Sequence, residues 1–270
     1  MDVVRDYYDK EAGYEWERLN NAYTRVEMES TLHLIDKYFP KEGRILDIGA
    51  GPGRYSMALL KKGYRVSLLD ISKVELQLAK EMITKEGLEA EAYYCRSALD
   101  LSHLPDSSFD GVMIMGPLYH LHEREARDTV LKEAIRILKP GAPALIAYIN
   151  SWGCLKAAVY EFPDVFADKA HFQRYIAGDL KFSAEESFTA TFFTTPVKAL
   201  EEVKASGLEI ISYAAAEGFL SALYPQLINL SKEKPEIYEN FVRASVLYCE
   251  EPQYRDASEH LHIIAKKSLI

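Results

Sequence analysis

Two periodicities alternate along this chain. Short apolar runs read as buried strands, and amphipathic stretches between them read as helices. Thr24 and Glu27 stand in capping-box spacing. Met28, Leu32, Ile35 and Phe39 then recur at helical intervals until Pro40 stops the helix. Ile45 to Ile48 reads as a buried strand running into glycines, residues 53–62 as a helix, and Val66 to Leu69 as a second strand. Ser72 and Glu75 open a helix carrying Val74, Leu78 and Met82 on one side. Ala92 to Cys95 and Gly111 to Met115 read as strands, Glu123 to Leu138 as a helix ended by Lys139-Pro140-Gly141, and Ala144 to Ile149 as another buried strand. Repeated crossovers of this length imply a parallel sheet with helices on both faces, an α/β fold.

After Asn150 the rhythm breaks. Residues 151–194 hold ten aromatics, a density about twice the whole-chain 11%. This stretch is expected to cover a pocket or to form a small core of its own. Thr195-Pro196 then starts a helix whose Leu200 and Val203 face inward and which Gly207 ends. Leu208 to Tyr213 and Leu261 to Ala265 read as the last two strands. The division expected is a lid segment 1–25 rich in tyrosine (Tyr7, Tyr8, Tyr14), whose rings would equally suit the packing of a helix, a core 26–150, an aromatic lid insertion 151–194, core returns at 195–217 and 257–270, and a helical insertion 218–256.

Composition narrows the class. With 48% hydrophobic and 27% charged residues in 270, the chain can bury a large core without disulfides. Lys+Arg 32 against Asp+Glu 41 leaves a net charge of −9, which repels nucleic acid and anionic lipid. The N-terminus is charged, and the apolar stretch Gly218 to Leu230 is short and broken by Pro225. A cytoplasmic protein without nucleic-acid or membrane partners is the expectation. Cys95, Cys154 and Cys249 lie far apart and form no zinc spacing, and no metal site is expected.

The strongest chemical signal is Asp47-Ile-Gly49-Ala-Gly51-Pro-Gly53 between a strand and a helix. Glycines there let the chain turn sharply and let a ligand approach bare backbone. A dinucleotide fingerprint places its third glycine one residue later, which disfavours a pyrophosphate cradle and a nicotinamide-dependent oxidoreductase. Asp70 closes the second strand, and Ser97-Ala-Leu-Asp-Leu-Ser-His-Leu-Pro105, Ser108-Phe-Asp110, Gly116-Pro-Leu-Tyr-His-Leu121 and Leu138-Lys-Pro-Gly141 follow in order.

In these motifs the chain resembles the class I S-adenosylmethionine-dependent methyltransferases of small-molecule type. The resemblance implies a Rossmann-like, mostly parallel seven-stranded sheet with an antiparallel last strand, plus lid insertions. It also implies S-adenosyl-L-methionine as cofactor, held by Tyr14, Asp47, Gly49, Ala50, Gly51, Asp70, Ile71, Ser97, Ala98, Leu99, Met115 and Gly116. Asp70 would accept both ribose hydroxyls, as a carboxylate can. Ser97 or, in another register, Asp100 would stand at the adenine contact. His120 at a strand's carboxyl end is the first candidate base, with Tyr119 beside it and His122 and His171 behind. The acceptor implied is a small, partly apolar molecule. A non-catalytic cofactor-binding module is the alternative from another class.

Overall fold

The structure, a computed structural model, describes residues 2–269. Five parallel strands form the centre: β1 (Arg44–Ile48), β2 (Arg65–Asp70), β3 (Ala92–Cys95), β4 (Gly111–Ile114) and β5 (Pro143–Asn150), in the order β3-β2-β1-β4-β5. The final strand β9 (His260–Lys266) runs antiparallel to β5, and β8 (Glu209–Ala215) is antiparallel to β9 at the edge. The parallel strands are those that the alternation predicts, and the antiparallel last strand is the one that the resemblance implies.

A hairpin goes beyond that expectation. β6 (Leu180–Phe182) pairs antiparallel with β7 (Thr191–Thr194), which in turn pairs with the end of β5. β4 accompanies β5 only as far as Ile146. Ile149, past that point, bonds to Phe193 on one side and to His260 on the other. The aromatic insertion therefore continues the sheet beyond the carboxyl end of β4.

Strand alternation feeds two cores. Leu46, Ile48, Val112, Ile114, Ile146 and Tyr148 point to one face, against α5 (Arg124–Ile137) and α8 (Pro196–Ala205). Ile45, Val66, Leu68, Met113 and Leu145 point to the other, against α2 (Thr24–Tyr38), α3 (Arg54–Lys61) and α4 (Lys73–Lys85). Both faces are covered, so the central strands read as continuous apolar runs. Thr195 caps α8 as expected, its Oγ1 accepting from the Lys198 amide at 3.4 Å.

Two local readings are corrected. Thr24 does not cap α2, whose N-cap position is Tyr23: Asn21 Oδ1 accepts the Tyr23 and Thr24 amides at 2.8 and 3.0 Å ahead of the helix, and Thr24 Oγ1 instead donates to the Leu19 carbonyl. On α4 the inward residues are Leu76, Ala79 and Ile83, whereas Val74 is exposed and Leu78 and Met82 are half-buried. The helix carries two apolar stripes, and the one that meets the sheet includes Ala79, which packs so close to Gly53 that a Cβ there would lie 2.9 Å from its own.

The remaining helices surround the carboxyl edge. α1 (Asp2–Arg18) packs on α4. The insertion after β5 carries α6 (Ser151–Glu161) and α7 (Ala170–Ala177), whose Cys154 and Tyr175 pack with Leu180 and Ile149 in a small core. After β8 come α9 (Tyr224–Glu233), α10 (Pro235–Leu247) and α11 (Pro252–Arg255). Leu227, Tyr238 and Val242 bury against Val26 of α2. Among the described residues no helix is long and apolar enough to cross a membrane.

Candidate active site

A cavity of about 1090 Å³ opens where β1, β2 and β4 end. Its floor is the turn after β1. Gly49, Gly51 and Gly53 all have positive φ, at 79°, 51° and 79°, a region costly for residues with a side chain. Gly49 is also sterically required, since a Cβ there would lie 2.5 Å from Pro117 Cδ. At Gly51 a Cβ would meet nothing within 4 Å, so the bare backbone faces open space.

Asp70 sits beside this turn at the tip of β2. One carboxylate oxygen accepts the Gly51 amide at 2.8 Å and the other accepts the Ser72 amide at 2.8 Å. Burial pushes its pKa up, and those amide bonds oppose the shift. Each oxygen keeps a lone pair for a ligand. Ser72 caps α4 as expected, accepting the Glu75 amide at 3.0 Å.

Of the residues singled out from sequence, Tyr14, Gly49, Ala50, Gly51, Asp70, Ile71, Ala98, Met115, Gly116, Tyr119 and His120 line the cavity. Asp47, Ser97 and Leu99 are not among its lining residues. Asp47 lies wholly buried under the turn, accepting from Ser56 Oγ at 2.7 Å, with burial lifting its pKa to about 6. Ser97 Oγ accepts the Leu99 amide at 3.2 Å, and Asp100 pairs at the surface with Arg96 and Ser102. His122 points Nε2 at the carbonyls of Phe182 and Thr191, 3.1 and 3.0 Å away, and so ties down the hairpin. His171 stands near Asp168, away from the cavity wall.

His120 is held from two sides. A carbonyl can only accept, so the 2.8 Å contact of Nδ1 with Ala190 O places a proton on Nδ1. Nε2 then accepts the Tyr8 hydroxyl at 3.0 Å. Burial lowers the His120 pKa to about 4, and the imidazole is neutral at physiological pH. Tyr119 donates its hydroxyl to the Met115 carbonyl at 3.1 Å, and burial raises its pKa.

Sequence reasoning passed over several ionisable residues of this wall. Glu75 is buried with neither carboxylate oxygen hydrogen-bonded, and burial together with Asp70 lifts its pKa to about 8. Glu15 is paired with Arg18 at 2.6 Å. Glu27, Glu217, Glu259 and His260 also line the cavity. His260 Nδ1 meets Glu217 Oε1 at 2.6 Å. Burial alone would lower its pKa, but Glu217 overrides it and raises it to about 10. The signals available were the capping position of Glu75 and the alternating His260-Leu261-His262.

Residues 45–141 match the family model described as a methyltransferase domain. Methyltransferase GfsG of Streptomyces halstedii is 33% identical over 115 residues, covering 42% of this chain and 40% of that protein. The chain thus matches about two fifths of the length of that relative. In fold, a methyltransferase structure from Methanosarcina mazei described as S-adenosylmethionine-dependent is similar with a TM-score of 0.59 and 22% identity, over 88% of this chain and 98% of that one. The 1,6-didemethyltoxoflavin-N1-methyltransferase of Burkholderia thailandensis, solved with S-adenosylhomocysteine bound, gives 0.62 and 15% over 99% and 88%. Residues 45–141, which hold the glycine turn and Asp70, thus match a methyltransferase domain, and the fold is that of these methyltransferase structures.

Proposed function

We propose that this protein transfers a methyl group from S-adenosylmethionine to a small, partly apolar molecule. The observation that carries the reading is the Gly49–Gly51 turn, bare toward the cavity, with the Asp70 carboxylate bonded to its Gly51 amide. The residues fit this cofactor. Open space at Gly51 accepts close approach, Asp70 keeps acceptors for a vicinal diol, and the unpartnered Glu75 carboxyl suits a group bearing positive charge. Gly49, Ala50, Gly51, Asp70, Ile71, Ala98, Met115 and Gly116 would hold it, with Tyr14 above. Asp47 would act from below, by fixing the turn through Ser56.

When bound, the cofactor supplies a methyl carbon on a positively charged sulfur, so catalysis rests on positioning an acceptor close to it. Tyr8 and Tyr119 offer aromatic faces that tolerate such a charge. For an acceptor that must lose a proton, the neutral His120 takes one at Nε2. Tyr8 occupies that lone pair, so a proton delivered to the Tyr8 oxygen passes on as the tyrosine's own hydrogen moves to His120. The Ala190 carbonyl keeps the imidazole oriented throughout. α1 and the aromatic insertion, contributing Tyr8, Phe182 and Phe188 to the wall, enclose a space suited to a small acceptor.

Calorimetric titration with S-adenosylmethionine tests the cofactor reading. Asp70→Ala is expected to lose about tenfold to a hundredfold in affinity, the equivalent of one hydrogen bond to a charged group. Unchanged affinity would remove the ribose role. Transfer of labelled methyl from the cofactor into small molecules of a cell extract tests the chemistry, and binding without any transfer would leave only a binding module.

A further inference from the structure

Four ligating side chains that the methyl-transfer reading does not use lie at and just behind the cavity wall around α2 and β9. One donor atom each from Glu27, Glu217 and His260 lies within 4.8 Å of the other two. His260 and His262 alternate along β9 and therefore project to the same face, toward α2. His262 Nε2 stands 3.8 Å from Glu27 Oε1, too long for a good hydrogen bond. His262 is completely buried, and neither of its ring nitrogens has a hydrogen-bond partner. An imidazole left so is costly, and a missing partner explains it.

We propose that Glu27, Glu217 and His260 on the cavity wall, with His262 buried behind them, form a binding site for a divalent first-row transition metal ion. Two imidazoles with two carboxylates suit zinc, cobalt or manganese, whereas magnesium and calcium prefer oxygen ligands throughout. An organic cation is disfavoured because His262 is completely buried and does not line the cavity, which leaves its nitrogens no face for a bulky group. The surroundings are arranged for a cation. Ser258 Oγ and the His260 amide donate to Glu217 Oε2 at 2.6 and 3.1 Å, which orients the carboxylate. Two carboxylates balance the charge of one dication. Binding needs no electron transfer, and any proton carried by the imidazoles leaves to solvent as the ion enters.

The site is independent of methyl transfer, so its failure and that of the proposed function are separable. The full-length protein, dialysed against a chelator, is titrated calorimetrically with zinc chloride and manganese chloride, with magnesium chloride alongside. The expected result is saturable one-to-one binding of zinc or manganese, and visible d–d bands when cobalt is used. Glu27→Gln and His262→Gln should each weaken binding by at least about tenfold, in variants whose circular dichroism matches wild type. Should either variant fail to fold, His260→Asn and the rise in wild-type unfolding temperature with zinc serve in its place. No saturable binding by the wild type, or equal affinity in all folded variants, would overturn the site. Binding that persists while S-adenosylmethionine fails to bind would leave the metal site standing and remove the methyltransferase reading.

Discussion

Gly49 and Gly51 sit two residues apart in one turn for different physical reasons, and substitution should separate them. An alanine at Gly49 collides with Pro117, which begins the 3-10 turn Pro117–His120 carrying Tyr119 and His120. Gly49→Ala is expected to lower the unfolding temperature and to displace that turn. Gly51→Ala meets no protein atom, so it costs only the left-handed backbone strain of about 1–2 kcal/mol, while its methyl group intrudes on the cofactor. Thermal unfolding beside cofactor titration checks this. Equal stability loss in both variants would mean that the Pro117 contact is not what makes Gly49 necessary. The glycine turn and Asp70 were legible in sequence because backbone needs and a strand terminus leave a local signature. Glu75 was not: its capping position looks structural, and only tertiary packing shows that its carboxyl oxygens lack partners.

At the scale of elements, α1 shows why the tyrosines of residues 1–25 read equally in sequence as a lid or as the packing of a helix. Its contacts with the body are largely polar or aromatic, without the apolar stripe that marks an ordinary packed helix. Asp9 accepts from Ser72 Oγ at 2.6 Å, Tyr8 bonds His120, and the Tyr7 ring lies 5.4 Å from that of Phe188. These tie α1 to the start of α4, to the turn after β4 and to the aromatic insertion. Asp9→Ala removes the first tie without touching the cavity wall. Faster amide exchange across residues 2–18 and faster cofactor dissociation are expected, with the rest of the molecule unchanged. Exchange rates equal to wild type would show that Asp9 does not hold α1 on the body. The core strands and helices, by contrast, were readable because burial on both sheet faces writes apolar runs into the chain. The β6–β7 hairpin escaped notice because its aromatics read equally as lid or core, and its register depends on where β4 stops beside β5.

The whole molecule carries a net charge of −9, and several of its carboxylates are enclosed around one cavity. Glu75 makes this measurable. Burial and the neighbouring Asp70 raise its pKa from 4.5 to about 8, so the folded protein holds that proton more tightly than the unfolded chain. The sign follows from linkage: the contribution to stability is complete below the unfolded pKa and is lost as pH rises through the folded one. Wild-type unfolding temperature should therefore decline more steeply than that of Glu75→Gln between about pH 5 and about pH 9. The amide cannot ionise, and its curve keeps only the slopes of the other groups. A cation in the cavity acts in the opposite sense, favouring the ionised Glu75. S-adenosylmethionine should thus recover more of the lost stability at the alkaline end in wild type than in the variant. Parallel pH profiles for the two proteins, with and without cofactor, would show that Glu75 titrates as an ordinary carboxylate and has no part in receiving the charge.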